Sequence, residues 1–99
     1  MNQQLVDEVT SYVNTKSWRA RRSQHTRRIV HIALSNLSSL ENRGVDISEV
    51  GLQSYIRHKV LIQLKRTESW YIVQYLLHWL LDVVIELVIY WWTNRETET

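Results

Sequence analysis

The chain has 99 residues, 44% of them hydrophobic and 22% charged, with a net charge of +2, which fits one globular domain and is too short for two. It contains no cysteine, so disulfides, thiolate metal sites and a cysteine nucleophile are excluded. Proline is absent and glycine occurs only at Gly44 and Gly51, so the usual punctuation of sheets is missing and an all-α fold is expected.

A domain of this length hides only about 60–70% of its unfolded surface. A small helical bundle completed by oligomerisation, most simply as a dimer, is therefore expected, with residues 1–92 as a single all-α domain. Leu5, Val9, Tyr12 and Val13 recur at helical spacing, and Asp7 and Glu8 suit the positive end of a helix dipole, so a helix is predicted over residues 3–15. The start of the chain lacks a basic stretch followed by an apolar run, so no secretory signal is read and an intracellular, cytoplasmic protein is expected.

Residues 16–28, KSWRARRSQHTRR, form a basic segment that reads as a linker, an arm, or the leading turn of the next helix. Beyond it, Ile29, Val30, Ala33, Leu34, Leu37 and Leu40 form one stripe, with His31, Ser35 and Ser38 opposite, which predicts a helix over residues 29–42. Gly44 is the residue best able to take the left-handed conformation that closes it. Asp46 and Glu49 then have capping-box spacing, with Val45 and Val50 placed as a hydrophobic staple.

A helical hairpin with its turn at residues 43–46 follows, and its second helix is predicted over residues 46–66. That helix presents Val50, Leu52, Tyr55, Ile56, Val60, Leu61 and Leu64 inward, with Arg57, Lys59 and Lys65 exposed. A long C-terminal helix is predicted over residues 69–92, and residues 93–99 read as a flexible polar tail. Nothing between Lys65 and Trp70 forces a break, and one continuous helix over 46–92 would be about 70 Å long.

The segment WYIVQYLLHWLLDVVIELVIYWW, residues 70–92, supports two environments. Trp70 and Tyr71 at one end and Tyr90, Trp91 and Trp92 at the other are separated by the thickness of a bilayer core, and Lys59, Lys65 and Arg66 would keep the N-terminal side in the cytoplasm. Gln74, His78, Asp82 and Glu86, however, recur every four residues and form a polar stripe about 120° wide. A central Asp costs about 2.5–3.5 kcal/mol on the insertion scale, against about 0.3–0.6 recovered per Leu, Ile or Val. The favoured expectation is a soluble oligomer core, with Trp70, Leu77, Leu81, Val84, Val88, Trp91 and Trp92 at an oligomer or membrane interface. The alternative is a membrane-associated or membrane-spanning oligomer.

No nucleophile elbow, phosphate loop or H-E-x-x-H pattern is present, so an enzyme is not expected. His78, Asp82 and Glu86 are ligand-type side chains on adjacent turns, but polar residues four apart are what any solvated helix face shows, so no metal site and no cofactor are expected. The basic segment is more informative. Lys16, Arg19, Arg21, Arg22, Arg27 and Arg28, with His25, occur without an intervening acid, although the whole chain carries only +2.

If the second helix extends backward, Arg21, His25 and Arg28 fall at i, i+4 and i+7 as a ladder suited to phosphates. The competing reading is a solvated surface paired with Asp7, Glu8, Glu41 and Glu49. The expected function is non-enzymatic binding of nucleic acid, double-stranded in preference, through phosphate contacts; an anionic membrane rewards the same charge. Trp18 has two roles open to it, stacking on a base or packing against Tyr12 or Val13. Five tryptophans and nine arginines beside no phenylalanine also suggest a viral or phage accessory protein from an overprinted or recently arisen frame.

Overall fold

Asn2 opens the first helix by accepting the Gln4 backbone N–H on its side-chain oxygen at 2.8 Å, which satisfies one of the donors that every helix start leaves without a partner. The computed structural model describes residues 2–46, 51–67, 69, 71 and 78–95, and among these it contains five helices and no strand. They are α1 (Gln3–Lys16), α2 (Trp18–Arg22), α3 (Thr26–Asn42), α4 (Leu52–Lys65) and α5 (His78–Asn94). The fold is all-α, as the composition requires.

Val6, Val9 and Val13 form the buried face of α1, with Leu5 and Tyr12 at its margin. Ser17 both stops α1 and starts α2. Its extended backbone ends the first helix, its N–H donates to the Val13 carbonyl at 3.0 Å, and its Oγ accepts the Ala20 N–H at 3.2 Å. The basic segment is thus largely helical and does not form an extended arm.

Ser23 is extended, and α3 begins only at Thr26. Thr26 is buried, and its Oγ1 donates to the Ala20 carbonyl at 2.6 Å, tying α2 to the start of α3. Thr26→Val keeps the shape and removes the donor, leaving that carbonyl with only the Ser23 N–H. It is expected to lower stability by about 1–2 kcal/mol, read as a drop in the thermal midpoint followed by circular dichroism.

Helix α3 is the centre of the molecule and packs against α1, α4 and α5. At 100° per residue, its buried Ile29, Val30, Ile32, Ala33, Leu34, Leu37 and Leu40 cover an arc of about 200°, wider than the single stripe expected from the sequence. The helix closes on Gly44 at φ 77°, with Gly44 N–H donating to the Glu41 carbonyl and Val45 N–H to that of Leu40, the paired bonds of a Schellman end.

Arg43 at the end of α3 reaches Tyr55 in the first turn of α4, as in an antiparallel pair. The described part of α4 starts at Leu52, behind Gly51 at φ 98°, a left-handed residue that cannot sit inside a helix. A helix running unbroken from residue 46 is therefore not formed. Glu49 and Val50, the second halves of the expected capping box and staple, lie outside the described residues. Helix α4 ends at Arg66, where backbone bonds tighten to three-residue spacing, and Ser69 is not helical, so the long rod over 46–92 is not formed either.

Helix α5 runs alongside α3. Its first turn lies against α2, and Arg95 just past its last turn makes a two-pronged contact with Glu41, both bonds at 2.9 Å. Leu80, Leu81, Val84, Ile85, Val88 and Trp92 are buried, whereas His78, Asp82, Glu86 and Tyr90 follow one another along the exposed side. The carboxylate of Asp82 meets Arg57 of α4 at 2.7 Å, and the same guanidinium lies 2.9 Å from His78 Nδ1.

The apolar flank of this helix is thus covered by the chain's own helices. Leu81, Val84, Val88 and Trp92, expected at an interface with a second copy or a membrane, lie instead in the core of one chain, and Trp91 is half-buried. Trp70, Leu77 and Gln74 lie outside the described residues. Among the described residues no helix is long and apolar enough to cross a membrane. The helix also continues two residues past 92, with Thr93 and Asn94 side chains bonded to the Ile89 and Tyr90 carbonyls, so the start of the expected tail is anchored. Arg95 adds a third tie by stacking 3.6 Å from the Trp92 ring centre.

Candidate functional site

Five residues make α2, and their angles decide what it presents. Taking Trp18 as 0°, Arg22 falls at about 40°, Arg19 at 100°, Arg21 at 300° and Ala20 at 200°. Ala20 is fully buried and serves as the foot of the helix, so the other four fan outward. Three guanidinium groups and one indole are displayed by a single short turn. Ala suits that foot because only a small side chain allows the helix to sit close on its neighbours.

Trp18 is 57% exposed and Trp79, in the first turn of α5, is 42% exposed. The packing of α2 on α5 brings both into the lining of one open cleft of about 400 Å³, which Arg19, Arg22, Ser23 and His25 also line, with Leu80 at its wall. The Arg19 guanidinium is 5.5 Å from the Trp18 ring centre and 5.3 Å from that of Trp79, and Arg22 lies 5.7 Å from Trp18. These are cation–π distances. Among the described residues no acidic side chain lines the cleft.

The other members of the basic segment are placed differently. The Arg27 guanidinium binds Asp7 and, at 2.7 Å, Gln3 of α1, so it ties α1 to α3 and is engaged by the paired-surface arrangement that the sequence also allowed. Lys16 sits 5.8 Å over the Tyr12 ring. The Arg21 side chain is exposed and, among the described residues, forms no hydrogen bond, ion pair or ring contact. His25 stands at the start of α3, where its backbone N–H donates to Ser23 Oγ, and Arg28 is half-buried in the first turn of that helix.

The expected ladder of Arg21, His25 and Arg28 along one helix is not formed. The chain turns at Ser23, placing Arg21 on α2 and Arg28 on α3. What the structure brings together instead is Trp18, Arg19, Arg22 and His25 from the basic segment with Trp79 from the C-terminal helix. Sequence reasoning missed Trp79 because its indole counts with the many apolar residues of the stretch and was not set against the polar stripe. A signal was present, however: counted from His78, Trp79 falls at 100°, inside the span of the polar stripe that ends at Tyr90, about 120°.

The described residues contain no group of three acidic or imidazole side chains able to hold a metal ion, and the His78–Asp82 pair is already taken by the Arg57 cation. No protein-family model, no curated protein and no solved structure matches the chain.

Proposed function

We propose that the chain binds nucleic acid, without catalysing a reaction, through phosphate contacts from the arginines of α2. The observation that carries this reading is the outward fan of Arg19, Arg21 and Arg22 on a turn with no acid beside it. Each guanidinium presents paired donors matched to phosphate oxygens, and the Trp18 ring holds two of the three near one surface. Arg27 is left out because Asp7 and Gln3 already use it.

Three contacts predict a modest, salt-sensitive interaction. The logarithm of affinity should fall with the logarithm of salt concentration at a slope of about −2 to −3. Reversing all three charges, with Arg19→Glu, Arg21→Glu and Arg22→Glu in one chain, is expected to weaken low-salt binding of a labelled oligonucleotide at least about tenfold, by fluorescence anisotropy. Arg27→Ala should leave that affinity unchanged. Equal binding by the triple variant, or no binding by the parent chain at low salt, refutes the proposal.

A further inference from the structure

The cleft between α2 and α5 carries more than charge. Two indoles from different helices stand open to solvent there, although a ring of this size is normally hidden. An open aromatic pair with cations at its rim and, among the described residues, no carboxylate is suited to a ligand that is flat, apolar on its faces and negatively charged beside them. A nucleotide has this composition. Its base offers a π-face to an indole, and its phosphate lies within reach of a guanidinium at the edge.

Resting on the phosphate-binding reading above, we infer that the Trp18–Trp79 cleft holds one unpaired nucleobase, and that the chain therefore prefers single-stranded nucleic acid to a duplex. The volume of about 400 Å³ falls within the range of small-ligand sites. In a duplex the base faces are already stacked on one another, so the indoles have nothing to stack against. Helix α2 is too short to lie along a groove, and the turn at Ser23 denies the basic segment a continuous face to fit one. Arg19, within 5.5 Å of both ring centres, contributes a planar guanidinium that stacks as well as it pairs, and Arg22 and Ser23 on the cleft lining would supply donors to the phosphate of the bound nucleotide.

The test uses the full chain and a fluorescein-labelled single strand of about ten nucleotides, beside the same strand annealed to its complement. The single strand is expected to bind at least about tenfold more tightly than the duplex, with quenching of tryptophan emission. Trp79→Leu and Trp18→Leu should each weaken single-strand binding on the order of 5- to 100-fold, by clearly more than they weaken duplex binding, and the loss at position 79 should be smaller in Trp79→Phe than in Trp79→Leu.

Equal affinity for the two forms with no effect of the leucine variants overturns this inference and leaves the phosphate reading standing. No binding to either form overturns both, as does capture by phosphatidylserine vesicles without any oligonucleotide binding. Should a leucine variant fail to fold, the comparison of strand with duplex on the unaltered chain still decides.

Discussion

The Val84→Asp chain is expected to show no cooperative thermal transition. Val84 is 0% exposed and is flanked on α5 by the buried Leu80, Leu81, Ile85 and Val88, so a carboxylate there is set into the apolar core away from water. Burying an unpaired charge costs several kcal/mol even after relaxation, and the apolar contacts of the valine add about 1.5–3. A domain of this size has only about 5–15 kcal/mol in total to lose.

The same helix supplies the control. Asp82, two residues earlier, is a natural carboxylate that faces solvent and meets Arg57, and Tyr90 lies on that exposed side. Tyr90→Asp should therefore stay within about 0.5 kcal/mol of the parent. Circular dichroism melts of the two variants read the orientation of α5 directly. A Val84→Asp chain that melts within a few degrees of the parent would show that the apolar arc faces something other than this core.

That orientation was legible in the spacing of His78, Asp82 and Glu86, since three polar side chains four residues apart define which side of a helix is wet. What covered the opposite side was not legible. The length of the chain argues for help from a second copy, and within the chain α3 buries about 200° of its circumference, so part of the cover for α5 comes from a helix used on more than one stripe. The chain's radius of gyration, 12.9 Å, is that of an ordinary compact domain of about 100 residues.

The α3 end at Gly44 could be read from the residue type, because φ of 77° suits glycine. The break at Ser23 could not. It depends on Ser17 and Thr26 using their side chains against the backbone of α2 and on Ser23 accepting the His25 N–H, and a serine or threonine in a polar run gives no sign of which partner it will choose. This one break decides the candidate site, since it takes Arg21 and Arg28 off a common face and turns Trp18 toward α5. The arginines were visible in the sequence, but their arrangement around two indoles required the tertiary packing.

Leu34→Ala is expected to lower stability by about 2–5 kcal/mol, the cost of removing buried methyl groups plus that of the cavity they leave. Leu34 is fully buried on the helix that packs against three others, so few neighbours are free to collapse into the space. Ile62→Ala, on α4 and 37% exposed, removes as many carbons from a site that water already reaches and should cost under about 1 kcal/mol. Urea titration is the measurement, with the midpoint falling and the slope unchanged if the native state keeps its compactness. Because α2 and the first turn of α5 build the cleft without Leu34 among its lining residues, a Leu34→Ala chain held well below its midpoint should bind oligonucleotide as the parent does. A loss of affinity in that folded chain would mean that the cleft depends on the packing of α3 throughout, and that Trp18 and Trp79 are held in register by the whole core, with the contact between α2 and α5 insufficient by itself.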